Sequence, residues 1–246
     1  MPSSIVAGTK RRPTLTTYRL RVDPAIYATF PDYAGLAIYA RGLHNGPSDA
    51  ASLALLAEES AACRAAFGQN KAASHPNIVA WREAFARFGS KPSKYPCSPE
   101  ALISRVLRGN DLPAINRVVD LYNAISVRYV LPIGGEDWDM LTSDGVLTFA
   151  RGDEPFVELS GGVEETSYPD PGEVIWADSS GITCRRWNWR QCRRTRLTEA
   201  TTNAYFILDS LPPFSQADLL AAGNDLAELL RGVSAGCAIE MELLRA

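Results

Sequence analysis

The sequence has little of the residue types that most metal and redox sites require. Only two of its 246 residues are histidines, His44 and His75, and its five cysteines contain no C-x-x-C pair. A histidine-rich metal site, a cysteine-rich zinc site and a disulfide framework are therefore not expected. A serine or cysteine hydrolase would have to use one of the two histidines as its base. The sequence thus predicts neither a metal nor a cofactor.

Several recognisable motifs are also missing. No G-x-x-x-x-G-K-[ST] or G-x-G-x-x-G pattern occurs, so no glycine-rich phosphate loop is predicted. No apolar run approaches the ~18–20 residues of a membrane span, and the N-terminus lacks the ordered regions of a signal peptide. We therefore expect a cytoplasmic protein.

Charge is unevenly distributed along the chain. The 25 basic and 28 acidic residues give a net charge of −3, which argues against a general nucleic-acid binder. However, an acid-rich stretch at 136–178 holds twelve acids and one base, and an arginine segment at 185–196 holds six arginines and no acid. These arginines either pair with the preceding acids or contact phosphates, for which Arg193, Arg194 and Arg196 are the better candidates.

Composition and pattern predict a mixed fold. With 46% hydrophobic and 22% charged residues, the chain is typical of a globular protein. We expect a flexible tail at 1–13 and a single domain at 14–246 with an α+β fold, in which mixed, largely antiparallel sheets pack with helices. Helical spacing and caps predict helices at 50–67, 77–88, 98–109 and 216–231, and a further helix that opens at Asp111 or Leu112 and has its body at 114–128. Alternation predicts strands at 14–22, 35–43, 146–150, 155–159, 173–177, 182–189 and 204–211, and a strand or short helix at 237–244.

The helix predicted at 114–128 carries an unusual polar face. Asn116, Asp120 and Asn123 recur there at helical spacing, although such residues in mid-helix cost roughly half a kcal/mol each relative to alanine. Two explanations are open. The side chains hydrogen-bond nearby loop backbone, or they form a polar wall of a ligand pocket.

The segment C-R-R-W-N-W-R-Q-C-R-R, residues 184–194, is a second candidate. In a regular strand, alternation places Arg186 and Asn188 on one face and Trp187 and Trp189 on the other. Tryptophans flanked by arginines would suit stacking on a single-stranded nucleotide and contact with its phosphate. Alternatively, the tryptophans face the core and the arginines pair with acids.

Three carboxylates follow Gly134-Gly135 closely, namely Glu136, Asp137 and Asp139. A metal site or an acid/base pair would need such groups. Acid clusters of this kind are usually solvated loops, however, so we predict a loop without a metal here.

Several segments together resemble a known family. They are S-K-P-S-K-Y (90–95), L-P-A-I-N-R-V-V-D-L-Y-N-A-I-S (112–126), L-P-I-G-G-E-D (131–137) and the stretch 171–209 with R-R-W-N-W-R-Q. These resemble the B3/B4 domain, the editing domain in the beta chain of bacterial phenylalanyl-tRNA synthetase, which also occurs as freestanding proteins. The resemblance spans roughly residues 80–232. It implies a B3/B4-like fold and hydrolysis of an amino acid mischarged onto tRNA, which in the synthetase is tyrosine.

The chain departs from the synthetase pattern at two places. Gly134 stands where the pattern P-x-H-x-x-D has its histidine, and Trp187-Asn188-Trp189 replaces a Gly-Gly pattern. Tyrosine specificity is therefore not carried over. Deacylation without a histidine is feasible because an aminoacyl ester is already activated, and an ordered water needs mainly to be positioned.

The resemblance and the residue types together suggest roles. Asn116, Asn188 or Gln191 would orient the water. The expected substrate-binding residues are Asp120, Asn123, Gly134, Arg186, Trp187 and Arg190, of which Arg186 or Arg190 would hold the phosphate of the terminal adenosine. The expected RNA contacts are Lys91, Lys94, Arg193, Arg194 and Arg196.

Three functions are compatible with these features. The first is a freestanding editing factor that binds the aminoacylated 3′ end of tRNA and hydrolyses the ester. The second is a binding module that uses the same pocket for an amino acid, a nucleotide or an RNA end without turnover. The third is a scaffold whose pocket is filled by Trp187 or Trp189. An open, polar cavity between the 113–128 helix and the 182–190 strand would indicate a substrate site.

Overall fold

The computed structural model describes residues 17–246, and the tail predicted at 1–13 lies outside this range. The helices are α1 (Pro24–Thr29), α2 (Ala50–Phe67), α3 (Pro76–Arg87), α4 (Ser98–Leu107), α5 (Arg117–Tyr129) and α6 (Gln216–Val233). The strands are β1 (Leu20–Val22), β2 (Ala34–Arg41), β3 (Ile133–Asp137), β4 (Gly145–Phe149), β5 (Phe156–Ser160), β6 (Val163–Ser167), β7 (Val174–Asp178), β8 (Gly181–Arg185), β9 (Arg190–Gln191), β10 (Asn203–Ser210) and β11 (Ala238–Leu244).

The strands form two larger sheets and one hairpin. The first sheet has the order β1-β4-β7-β8-β9, the second has the order β11-β2-β10-β3, and β5 pairs with β6. Every pair is antiparallel except β1 with β4. The α+β class with mixed, largely antiparallel sheets is therefore confirmed. None of the helices in the described range is long and apolar enough to cross a membrane.

Strand β10 lies inside the second sheet and is buried along its whole length. Alternate side chains of a strand point to opposite faces. One face, with Phe206 and Leu208, packs against α6 in one apolar cluster. The other face, with Tyr205 and Ile207, belongs to a second cluster on the far side of the sheet. Asp209 shares that second face by alternation.

Local capping signals explain the ends of the helices. Asp49 caps α2 by accepting a hydrogen bond from the Ser52 backbone N–H at 2.9 Å, and α2 stops before Gly68 as predicted. The predicted opening of α5 at Asp111 or Leu112 is wrong. Asn116 is its N-cap, with Oδ1 accepting a hydrogen bond from the Val119 N–H at 3.1 Å, so the helix begins at Arg117. The capping role explains a short polar residue at this position.

Other segments also differ from the predictions. The strand predicted at 182–189 ends at Arg185, because Arg186 and Trp187 adopt positive φ angles of 47° and 65° and turn the chain. The alternation expected beyond Arg185 is therefore wrong. Residues 133–137, expected in a loop, form β3 and pair with β10. The last segment, left open between strand and helix, is strand β11.

Candidate functional site

A cavity of about 250 Å³ lies between the second sheet and the turn that follows β8. Its floor comes from Gly134 and Glu136 of β3 and from Tyr205, Ile207 and Asp209 of β10. Residues of α4, α5 and the 187–191 segment form its walls. Sites for drug-sized ligands usually have roughly 300–1,000 Å³, so this cavity suits a group of amino-acid size.

The structure brings six of the predicted site residues together around this cavity. They are Asn123, Gly134, Trp187, Asn188, Arg190 and Gln191. They come from α5, β3 and the turn between β8 and β9, which are far apart in sequence. Two further carboxylates, which were not predicted as site residues, complete the floor.

Glu136 lies at one end of the floor and is only 3% exposed. Its Oε2 accepts a hydrogen bond from the Tyr205 hydroxyl at 2.5 Å. Burial raises the pKa of Glu136 to about 7, although hydrogen bonding, first of all from Tyr205, works against the rise. No ion pair to this carboxylate is formed within residues 17–246.

Asp209 lies at the other end of the floor and is 1% exposed. Its Oδ1 accepts a hydrogen bond from the Tyr33 hydroxyl at 2.7 Å. Burial raises the pKa of Asp209 to about 7 as well. Among the described residues, this carboxylate also lacks a cationic partner. Two buried acids without a counter-charge therefore face one small cavity.

Three polar side chains of the lining make no hydrogen bond with the described residues. They are Asn188, through both amide atoms, and the indole N–H groups of Trp176 and Trp187. Asn188 is buried, and it lies close enough to Asp209 to lower the pKa of that carboxyl without a hydrogen bond of good geometry. A buried polar group left unpaired costs about 1–3 kcal/mol. The amide thus offers both a donor and an acceptor to a ligand.

Trp187 is fully buried although its backbone is strained. Its ring packs edge to face on Phe30, Tyr33 and Trp81, with centroids 4.9, 5.1 and 5.1 Å apart. A left-handed conformation costs a residue other than glycine roughly 1–2 kcal/mol, which this aromatic packing offsets. Trp189 instead packs on Tyr95, with centroids 4.9 Å apart. Both tryptophans therefore line the cavity without filling it, which disfavours the scaffold hypothesis.

Gln191 occupies the space beside Gly134. Its Nε2 donates a hydrogen bond to the Gly135 carbonyl at 2.9 Å. The same atom lies 3.2 Å from the place where a Cβ on Gly134 would stand. A histidine at this position would have to displace the amide, so Gln191 takes the space that a larger side chain would need.

Asn116 and Asp120 lie outside the cavity. Asn116 caps α5, and Asp120 accepts hydrogen bonds from the Ile115 N–H at 2.8 Å and the Ser52 hydroxyl at 2.9 Å. Both side chains thus stabilise the backbone at the start of α5. Of the three polar residues predicted on this helix face, Asn123 is the one that lines the cavity. The roles expected of Asn116 in orienting water and of Asp120 in binding substrate are corrected accordingly.

The arginine segment is largely neutralised by the acid-rich stretch. The pairs are Arg185 and Arg186 with Glu173, Arg190 with Glu158, Arg193 with Glu164 and Arg194 with Asp178. Arg196 is exposed and takes part in an isolated backbone bridge with Glu136. Of the two interpretations of this segment, the structure therefore favours pairing for five of its six arginines.

A second recess, here called the lysine recess, lies beside the cavity. It measures about 450 Å³, and its lining includes Lys91, Lys94, Tyr95 and Arg186. Both lysines are exposed, and the Arg186 guanidinium stacks 3.7 Å from the centroid of the Tyr95 ring. Tyr95 in turn packs on Trp189 of the cavity lining. Three predicted binding residues therefore meet next to the cavity.

Sequence reasoning missed Glu136 and Asp209 as site residues. Glu136 is expected in a solvated loop, because it belongs to a cluster of acids with Asp137 and Asp139. Asp209 did carry a signal, since Tyr205, Ile207 and Asp209 alternate along a strand that is otherwise apolar. A carboxylate at such a position is either paired or functional. No group of three or more His, Cys, Asp or Glu between residues 17 and 246 is arranged to hold a metal.

Comparisons with known proteins identify the family. The profile of the B3/4 domain matches residues 80–228, which is more than half of the chain. A solved N-terminal fragment of the phenylalanyl-tRNA synthetase beta-subunit from Pyrococcus horikoshii is similar, with a TM-score of 0.49 and 13% identity. That match covers 94% of this chain but only 52% of the fragment, so the chain spans about half its length. A search of the curated proteins returned no match. By the profile match, this chain belongs to the B3/4 domain family.

Proposed function

We propose that the protein is an aminoacyl-tRNA deacylase of the cytoplasm, whose cavity binds an amino acid esterified to the 3′ end of a tRNA. The observation that carries this is the combination, in one cavity of about 250 Å³, of two buried carboxylates that form no ion pair with the described residues and the Asn188 amide, which makes no hydrogen bond of good geometry with them. An aminoacyl ester has a positive amino group for a carboxylate and a carbonyl for the amide. Family membership and the adjoining lysine recess support the same assignment.

The reaction consumes one water. Its oxygen adds to the ester carbonyl carbon, the bond from that carbon to the ribose oxygen breaks, and the ribose oxygen takes one of the water protons. The amino acid leaves as a carboxylate, and the remaining proton passes to solvent. Because the ester is already activated, positioning the water contributes several kcal/mol towards the barrier. Asn188 and Gln191 are the side chains that would orient this water.

The lysine recess suits the end of the tRNA chain. Lys91 and Lys94 are exposed there and can contact phosphates of the chain end. The Tyr95 ring is already covered by the Arg186 guanidinium at 3.7 Å, so a terminal base would have to displace that group to stack on it. Arg193 and Arg194 are weaker candidates for phosphate, since each already pairs with an acid. Arg196 is exposed and remains a candidate.

Release of amino acids from a panel of aminoacyl-tRNAs tests the proposal. We expect the purified protein to accelerate deacylation of at least one member of the panel, and Asn188→Ala to lower that rate. Asn110→Ala, in an exposed turn, is the matched control and should leave the rate unchanged. Acceleration of none of the panel would refute the deacylase.

The salt dependence of tRNA binding tests the RNA contacts. Removing a lysine that binds one phosphate of a single strand should reduce the slope of log K against log salt by roughly 0.7. We expect this reduction for Lys91→Ala and Lys94→Ala, and a smaller one for Arg193→Ala and Arg194→Ala. Equal slopes for all four variants and the unmodified protein would place the RNA surface elsewhere.

A binding module without turnover is the second candidate. It is favoured by one observation, that neither histidine lines the cavity and the Gln191 amide is already bonded to the Gly135 carbonyl. Thermal stabilisation by an amino-acid amide, without any deacylation, would support this function over the first.

A further inference from the structure

We infer that the cavity selects an amino acid with a basic side chain, whose α-ammonium and side-chain ammonium each meet one of the two carboxylates, Glu136 and Asp209. This inference deepens the proposed function and rests on it for the ester. The charge argument itself concerns the cavity alone and is testable without tRNA.

The presence of two carboxylates favours a ligand with two cationic groups, because an acid without a counter-charge has to keep a proton to stay buried. Every aminoacyl ester carries one α-amino group, which accounts for one of the two acids. A neutral side chain would leave the other acid buried without a counter-charge, an arrangement that proteins normally avoid by pairing. A basic side chain completes both pairs.

The spacing of the carboxylates fits a linear ligand with a donor at each end. Glu136 pairs with Tyr205 in the β3–β10 ladder, and Asp209 lies four residues further along β10. Four residues of a strand span roughly 13 Å. Gly134, which has no side chain, lies between the two ends of the floor, so the middle of the floor leaves room for methylene groups.

The walls suit such a chain. Aromatic rings of Tyr122 and Trp176 line the cavity and offer π faces to an ammonium and apolar surface to methylenes. The ring of Trp189, also in the lining, already has its centroid 4.5 Å from the Arg190 guanidinium. The unpartnered Asn188 amide is buried in the same lining and can bond a carbonyl or an amine. It lies beside Asp209 and is a second polar group of the same lining without a hydrogen bond of good geometry among the described residues.

The groups facing the carboxylates do not supply the missing charge. Among the described residues, those facing Glu136 are Tyr122, Thr183, Cys184, Cys192, Thr195, Tyr205 and one cation, Arg194. Those facing Asp209 are Tyr33, Cys184, Trp187 and Asn188. Burial raises the pKa of each of these tyrosines and cysteines, so all of them are neutral near pH 7. Arg194 pairs with Asp178, and Arg190 in the lining is exposed and pairs with Glu158.

Calorimetric binding of two matched probes tests the inference. The probes are L-lysine amide and L-norleucine amide, which lacks only the side-chain ammonium. At pH 7.5 we expect the unmodified protein to bind lysine amide at least tenfold more tightly. Equal affinity, tighter binding of norleucine amide, or no binding of either probe would overturn the inference.

Two variants that each neutralise one carboxylate test whether these acids cause the preference for lysine amide. We expect Glu136→Gln and Asp209→Asn each to reduce the preference for lysine amide at least threefold, with folding verified by the thermal midpoint. Glu199→Gln, an exposed surface change, is the control and should leave the preference intact. A preference unchanged in both cavity variants would overturn the inference, whereas the probe pair on the unmodified protein decides even if a variant fails to fold.

Deacylation separates this inference from the proposed function. Faster hydrolysis of lysyl- or arginyl-tRNA than of neutral aminoacyl-tRNAs supports both. Hydrolysis of neutral aminoacyl-tRNAs alone overturns the inference and leaves the deacylase standing. Preferential binding of lysine amide without hydrolysis of any aminoacyl-tRNA refutes the deacylase and leaves the cationic ligand standing.

Discussion

In the described part of the chain, buried charges form ion pairs in the arginine segment but not on the floor of the cavity. Arg185 and Arg186 are both buried, and both meet the carboxylate of Glu173, at 2.7 and 3.4 Å. Glu136 and Asp209 are buried at least as deeply and have no such partner among the described residues. Where the chain completes its own charge pairs the role is structural. Where two buried acids beside a cavity form no ion pair, a cationic ligand can supply the missing counter-charges.

This contrast also explains why the arginine segment, the most conspicuous charge pattern of the sequence, is not the candidate functional site. The arginines stand out in the sequence, yet the acid-rich stretch before them supplies four of their partners. Unpaired buried acids reduce stability, and proteins retain such groups mainly where function needs them. The comparison is therefore open to direct tests by charge removal in each region.

The largest effect is expected from Glu173→Gln. The change leaves two buried guanidinium groups without their carboxylate, and breaking a buried pair in this way costs about 3–5 kcal/mol. Urea denaturation at pH 7 measures the loss in the free energy of unfolding. Glu164→Gln, which breaks an exposed pair with Arg193, should cost no more than about 1 kcal/mol. Equal losses in the two variants would contradict the structural role of the buried pairs that Glu173 makes.

The second effect is a loss of stability with rising pH. Folding raises the pKa of Glu136 and Asp209 to about 7, so the folded state binds more protons than the unfolded state above the ordinary carboxyl pKa. The contribution of these acids to stability is complete below about pH 4 and is lost as pH rises through 7. At ~1.4 kcal/mol per pKa unit, we expect a fall of about 2 kcal/mol per carboxylate between pH 5 and 8.

Neutral variants of the same acids give the control. Glu136→Gln and Asp209→Asn should each remove the fall that belongs to one carboxylate, about 2 kcal/mol, and should stabilise the protein at pH 8, whereas Glu173→Gln destabilises it. Urea denaturation at pH 5 and pH 8 measures both signs. If Glu136→Gln and Asp209→Asn destabilise the protein at pH 8, the acids are stabilised by partners and the floor resembles the arginine segment.

The smallest effect distinguishes two asparagines. Asn188→Ala removes a buried amide that makes no hydrogen bond of good geometry with the described residues, so it should leave the free energy of unfolding unchanged or raise it. Asn116→Ala removes the cap of α5 and should cost about 1 kcal/mol. Thermal unfolding resolves the difference. A loss for Asn188→Ala would make that residue structural and would weaken its assignment to a ligand.

Much of the fold follows from local sequence signals. Helix α2 begins after Asp49 and ends before Gly68 because a capping residue and a glycine define these ends within one turn. Strand β3 escaped detection because G-G-E-D contains little apolar surface, and only its pairing with β10, about seventy residues later, makes it a strand. Burial of Glu136 depends on that same distant pairing.

The turn at Arg186 and Trp187 could not be predicted from the sequence either. Neither residue type favours a positive φ, and the conformation depends on the packing of Trp187 against Phe30, Tyr33 and Trp81 from remote parts of the chain. Around the cavity, the pocket role of Asn123, Gly134 and Asn188 was accessible through the family resemblance. The charge balance of the cavity could not be predicted from the sequence, because it depends on which distant side chains pair in the folded protein.

The most direct test of the central claim is a carbon-13 NMR titration of the side-chain carboxyls of Glu136 and Asp209, assigned with Glu136→Gln and Asp209→Asn. If both acids lie buried without a counter-charge, each titrates with a pKa near 7 in the free protein, and saturating L-lysine amide lowers both values. Titration of both carboxyls near pH 4 in the free protein would contradict the account. It would show that the cavity floor is charge-balanced or solvated, as the arginine segment is.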